Sequence, residues 1–173
     1  YPRSEIITLT NSTIKNSEIF SDSYNRGIKI YFSLVTDSQF KLGCCGSNFI
    51  IENSTLHSSP FSQTNSGGNA TLKKSLVVDS PFVGSGTLTF SNTIVAFSDS
   101  YTPSASNESG IKTTNITMSS SGIYGCKFGE ALNISSGNST INKSTFINNN
   151  TDVIISGSTG SHEFNENNFL YSN

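Results

Sequence analysis

The sequence predicts an all-β chain: a single-domain parallel β-solenoid over residues 1–173, with about eight coils of 18–23 residues. Three observations predict it. First, an apolar residue followed by Ser or Asn at the third place recurs at Ile14, Val35, Leu56, Val77, Val95, Met118, Ile141 and Phe164. Second, the spacing is 21 residues for three steps, then 18, then 23 for three, within the range of stacked repeat architectures. Third, short stretches of period two alternate with Asn, Ser, Asp and Gly turns, and no stretch has the 3.6-residue period of a helix.

Each coil is expected to open on a strand bearing an apolar pair seven and five places before its anchor. These pairs are Ile7/Leu9, Ile28/Ile30, Phe49/Ile51, Ala70/Leu72, Leu88/Phe90, Ile111/Thr113 and Ile134/Ser136, with Val153 and Ile155 of the eighth unit displaced. The anchor strand comes next. A turn then carries Ser17, Ser38, Ser59, Ser80, Ser98, Ser121, Ser144 or Asn167, and a third strand brings Ile19, Phe40, Phe61, Phe82, Ser100, Ile123, Phe146 or Phe169. A unit this short cannot bury its own apolar face, whereas stacking at about 4.8 Å piles equivalent side chains on one another. Phe40, Phe61 and Phe82 are expected to stack inside, and the turn Ser and Asn to form a ladder.

Composition fits such a chain. Charged residues are 13% of the sequence, about half the usual share, while Ser, Thr and Asn fill 71 of 173 positions. The net charge is −2 and no basic run exceeds Lys73-Lys74, so nucleic acid and acidic lipid are not expected partners. The longest apolar stretches, such as Val153-Ile154-Ile155, are far below the roughly 20 residues that span a bilayer. No membrane insertion is expected, and the chain reads as mature and soluble.

The segments "NSTIKNSEIF" with "NRGIKI", "NITMSSSGI" and "NSTINKSTFINNN" resemble the right-handed parallel β-helix repeat family, in which Asn-rich turns alternate with apolar strand positions. The resemblance runs from Glu5 to Leu170 and implies the architecture and its handedness. It is silent on function, because enzymes, adhesins, phage spikes and structural proteins share the fold.

Catalysis is not expected. Asp37 and Asp79 share a coil position two coils apart, about 9.6 Å along the stack, with Asp99 out of register. Asp beside Ser in a tight turn is expected to cap its own backbone. His57 and His162 fall in distant coils, each expected at the surface. No Asp-Asp, Gly-His-Gly or Arg-x-Lys hydrolase motif, nucleophile elbow, phosphate loop or CxxC is present, and neither cofactor nor metal is expected. Thr-x-Thr stretches at residues 8–10 and 87–89 lack partners in the coils between, which weighs against an ice-facing rank. Cys126 lies about 19 Å along the stack from Cys44 and Cys45, beyond the Cα limit near 7 Å for a disulfide. Buried thiols are expected, with a vicinal pair or an intersubunit bond as alternatives.

Nine Asn-x-Ser/Thr sequons occur. Asn69, Asn107 and Asn149 lie in Gly-, Ser- and Asn-rich turns expected to project into solvent, and are the expected glycan sites. Asn11, Asn53, Asn115 and Asn138 lie three places before their anchors, where an inward or ladder role is expected. Asn133 and Asn142 are also weaker candidates. Few residues flank the outer strands, so Ile7 and Leu9 at one end, and Phe169 and Leu170 at the other, are expected to lack a cap. The functional expectation is a non-enzymatic, extracellular or cell-surface structural glycoprotein that self-assembles head to tail, with itself as partner and glycans as a further ligand class. An adhesin or passenger fragment binding glycans is the alternative, and a remnant polysaccharide-degrading enzyme the third.

Overall fold

The computed structural model describes residues 6–21, 27–43, 47–63, 68–103, 109–157 and 159–170. These form 23 strands and no helix. Coil one is β1 (Ile6–Thr10), β2 (Thr13–Lys15) and β3 (Glu18–Ser21); coil two is β4 (Gly27–Tyr31), β5 (Leu34–Thr36) and β6 (Gln39–Leu42). Coil three is β7 (Asn48–Glu52), β8 (Thr55–His57) and β9 (Phe61–Gln63), and coil four is β10 (Asn69–Lys73), β11 (Leu76–Val78) and β12 (Phe82–Val83). Coil five is β13 (Thr87–Ser91), β14 (Ile94–Ala96) and β15 (Ser109–Thr113); coil six is β16 (Asn115–Ser119), β17 (Gly122–Tyr124) and β18 (Glu130–Ile134). Coil seven is β19 (Ser139–Asn142), β20 (Thr145–Ile147) and β21 (Thr151–Ile155), after which β22 (His162–Asn165) and β23 (Asn168–Leu170) begin an eighth.

The first, second and third strands of successive coils build three parallel sheets, A, B and C, of eight, eight and seven strands. The fold is therefore a parallel β-solenoid of seven full coils plus two strands, close to the eight expected. Val35, Leu56 and Val77 stand in one column of sheet B, and all three are fully buried. The rings of Phe40, Phe61 and Phe82 stack with centroids 4.2 and 4.3 Å apart.

Two corners of the coil share a turn, the second of them in every full coil but the fifth. At the corner between sheets A and B, Asn11, Phe32, Asn53, Lys74, Asn92, Ser120, Lys143 and Glu166 all take φ near +50°. At the next corner, Asn16, Asp37, Ser58, Asp79, Gly125 and Asn148 do the same or nearly so. A left-handed residue reverses the chain in one step, and Asn or Asp accepts that conformation at lower cost than most. The residue after it turns inward. At the second corner the Ser38 N–H donates to Ser59 Oγ and the Ser59 N–H to Ser80 Oγ, at 3.2 and 2.8 Å. At the first corner Ser12, Ser33, Ser54 and Ser75 are linked in the same way. These relays satisfy N–H groups that the sharp turns leave without a sheet partner.

The register corrects part of the sequence reading. Ile14, Val35, Leu56, Val77 and Val95 belong to sheet B, whereas Met118, Ile141 and Phe164 belong to sheet A, where Met118 pairs with Phe90. The sheet B partners of Val95 are Ile123, Phe146 and Phe169. In consequence Ile111/Thr113 lies in sheet C, with Ile111 paired to Phe82. The physical reason is that both corners carry the same motif, an apolar residue, a left-handed residue, an inward Ser and another apolar residue. A reading frame can therefore step from one corner to the other without breaking the pattern.

Candidate functional site

Core columns that are buried in the middle coils are exposed in the first and last described coils. In the column that begins at Ile7, the next members Ile28 and Phe49 are buried, while Ile7 itself is 57% exposed. At the other end Phe169 is 42% exposed, whereas Phe146 directly beneath it is fully buried. Phe164, Leu170 and Ile155 are exposed there as well, and Leu9 and Ile14 are half-buried at the first end. Of the four residues expected to mark the ends, Ile7, Phe169 and Leu170 are thus exposed and Leu9 is partly covered.

The backbone at the two ends is complementary in polarity. Along β10 the Asn69 N–H points back to Ser47 O, and along β13 the Thr87 N–H points back to Gly68 O. By the alternation of a strand, and the register Thr8↔Lys29↔Ile50↔Thr71, the Thr8 N–H faces the open edge of coil one. At the far end the Glu166 N–H stands where the Lys143 N–H donates to Asn165 O, and Thr10 O stands where Tyr31 O accepts from Asn11. One end therefore presents Glu166 N–H, the other Thr10 O. The Ser relay runs the same way, with Ser12 Oγ at its first member and Asn167 at its last.

The expected glycan sites fall differently from one another. Asn69 is exposed at the start of β10, where its Nδ2 donates to Asn48 Oδ1 at 3.1 Å. Asn107 lies outside the described residues. Asn149 does not project into solvent, which corrects the expectation for it: its side chain is buried as a member of the second corner's relay. Its Oδ1 accepts the Cys126 N–H at 2.9 Å, and its Nδ2 donates to Ile123 O and Asp152 Oδ1. Asn167 bonds Ser144 N and Ile141 O in the same pattern at the first corner. Nor do Asn11, Asn53, Asn115 and Asn138 form one inward row. Asn11 and Asn53 are left-handed corner residues, while Asn115 opens β16 and Asn138 immediately precedes β19, their Oδ1 atoms accepting from Asn138 N and Ser161 N in the next coil. Asn133 Oδ1 accepts from Ser156 Oγ, and Asn142 Oδ1 is buried with no hydrogen-bond partner.

The acidic and basic groups serve the turns. Asp37 and Asp79 hold left-handed corners. Asp79 accepts from the Ser98 N–H and Oγ at 2.7 and 2.8 Å, anchoring the departure of the long coil-five loop, and Asp99 pairs with Lys127. His57 is exposed, with Nδ1 3.1 Å from Ser58 Oγ, and His162 Nδ1 lies 2.9 Å from Ser139 Oγ. Among the described residues no group of His, Cys, Asp and Glu is placed to hold a metal ion. Cys126 is a buried free thiol whose Sγ lies 3.4 Å from Glu130 O, and burial pushes its pKa up to about 11. Nearby Tyr101 is also raised, first by burial and then by the charges of Asp79 and Cys126. Cys44 and Cys45 lie outside the described residues.

Sequence reading missed one surface feature. Thr71, Thr89, Thr117 and Thr140 form a single outward rank across β10, β13, β16 and β19, a pattern hidden because Asn replaces the leading Thr in three of the four coils. No family model, no curated protein and no solved structure matches this chain.

Proposed function

We propose that this chain is a non-enzymatic structural β-solenoid, secreted or displayed at a cell surface, that assembles head to tail into a filament. The observation that carries this reading is the exposure of core columns in the first and last described coils. Core columns buried throughout the middle coils emerge at Ile7 and Phe169, and exposed apolar slices with unpaired strand edges invite strand addition. Contact between unlike ends is heterologous, so it extends into an open polymer when the rotation does not close. In register, Glu166 N–H would meet Thr10 O of the next copy, and Asn167 N–H its Ser12 Oγ.

The right-handed β-helix repeat family supplies the parallel for this use, together with the handedness. Extracellular placement rests on the low charge, the sequons and the fold, with Asn69 and Asn107 as the glycan sites in this reading. A glycan-binding adhesin fragment is the second reading, favoured by the outward Thr71, Thr89, Thr117 and Thr140 rank.

Replacing Thr8 by Pro tests the filament. The change removes a donor that faces the open edge and leaves the bonds between β1 and β4 in place. Unaltered chains are expected to form fibres in negative stain, and Thr8→Pro chains to form short fibres or none while circular dichroism stays β-rich. Unaltered chains that remain monomeric up to about 1 mM, far above the concentrations at which specific complexes form, would refute the proposal.

A further inference from the structure

Away from the two outer coils, every exposed large apolar side chain among the described residues falls on one strip. These are Phe32, Leu34, Leu76 and Ile94, all on the outer face of sheet B or the corner leading into it. From Leu34 to Ile147 that outer face carries no Asp, Glu, Lys or Arg; the outward residues are Leu34/Thr36, Thr55/His57, Leu76/Val78, Ile94/Ala96, Gly122/Tyr124 and Thr145/Ile147. Sheets A and C, by contrast, carry Lys29, Glu52, Lys73, Lys41 and Lys112 outward. Phe32 adds a separate signal. It takes φ +49° at a corner otherwise held by Asn, Lys, Ser and Glu, a costly conformation for a bulky residue, and its ring is 61% exposed.

We infer that this face seats a second copy of the chain, related by a two-fold axis parallel to the solenoid axis. That symmetry lays each coil on its own equivalent with strand direction reversed, so the first outward residue of a strand meets the partner's second. In four coils the meeting matches a larger side chain with a smaller one: Leu34 with Thr36, Leu76 with Val78, Ile94 with Ala96, and Ile147 with Thr145; in coil six the Tyr124 ring lies over its own Gly122. Thr55 meets His57, polar against polar. The same operation brings the first corner over the partner's second corner, setting exposed Lys74 against Asp79 in coil four twice, once on each side of the axis, and Phe32 over the Asp37 corner in coil two. Turning the copies end for end would instead bring like corners together and lose this match. Sheet faces pack about 10 Å apart, which leaves room for such interdigitation. Five strand spacings by a three-residue strand gives a footprint of only a few hundred Å² per copy, below the roughly 800 Å² of stable complexes. The dimer is therefore weak and concentration-dependent.

This inference does not rest on the filament, and its test is run on Thr8→Pro chains so that end-to-end growth does not mask it. Sedimentation equilibrium is expected to show a monomer–dimer equilibrium with a dissociation constant in the range of about 0.1–1 mM. Leu76→Lys and, separately, Ile94→Lys should leave the chain monomeric with an unchanged thermal melt, because both side chains are exposed in the monomer. Lys74→Asp should weaken the dimer about tenfold at low salt and less at high salt. A chain that stays monomeric throughout, or a dimer indifferent to both Lys substitutions, overturns the inference. So does binding of the face to neutral lipid vesicles by chains that never dimerise.

Discussion

Coils one to four and coils five to seven solve the same folding problem with different parts. In the first group the sheet A column Leu9, Ile30, Ile51, Leu72 repeats every 21 residues, the second corner is turned by Asn16, Asp37, Ser58 and Asp79, and the relay is all Ser. In the second group the steps become 28 and 23 residues after one of 18. There the chain leaves the coil at Phe97, and the second corner passes to Gly125 and Asn148, with Cys126 and Asn149 as the inward residues. Phe97, Tyr101 and Phe128 form a small aromatic cluster, packed on the outside of sheet C against Gly110. A parallel stack thus tolerates length changes at one corner: the Cys126 N–H still finds its acceptor in the next coil, at Asn149, while the Ser98 N–H turns back to Asp79 of the preceding one.

Substitutions in the two groups can break or sharpen that contrast. The largest effect is expected at Phe61, stacked between two rings and buried: Phe61→Ala should cost about 3–5 kcal/mol in urea unfolding. Leu132, which occupies the same column in coil six without ring neighbours, should cost less on Leu132→Ala, the gap reflecting about 0.5–1.5 kcal/mol for each aromatic pair. Next is Gly125, with φ +72° and room for no Cβ, since one built there lies 2.5 Å from Phe97 O. Gly125→Ala should lose about 2–4 kcal/mol, combining left-handed strain with overpacking against backbone, where Asp79 at the equivalent corner is accommodated. Ser59→Ala removes the acceptor of the buried Ser38 N–H and should cost about 1–3 kcal/mol. The smallest effect is at alkaline pH. Because the folded Cys126 thiol titrates near 11 against about 9 when unfolded, unfolding releases a proton between those values, and stability falls as pH rises through that window. Cys126→Ser should flatten this loss, as followed by thermal melts from pH 8 to 11.

Much of this fold was legible because each coil repeats a local motif. Val35, Leu56 and Val77 could be stacked from spacing alone, and so could the rings of Phe40, Phe61 and Phe82. What spacing could not supply was which corner a motif belonged to. The 28-residue step from Val95 to Ile123, less the five residues by which the sheet A column precedes the sheet B column, is 23, so Met118 fitted the series although it lies one sheet away. The same slip hid the role of Asn149. Read as part of a polar tract it suggested a solvent-facing turn, yet an inward Asn can replace Ser in the relay because its amide both accepts from one coil and donates to another. The strip on sheet B was invisible for a different reason: Leu34, Leu76 and Ile94 are as apolar as core residues, and only the pleat decides which face they occupy.

The corner relays and sheets bond each coil only to its immediate neighbours, which gives the molecule a graded response to tension. Pulled by its two ends, the stack would yield by peeling the outermost coil while those behind it keep their bonds. Each release frees the contour of one coil, about 70 Å for 21 residues, about 60 Å for the 18-residue coil and about 95 Å for the 28-residue one. The chain is in this sense a series of mechanical fuses of unequal length, with the longest extension stored where the loop leaves the stack at Phe97.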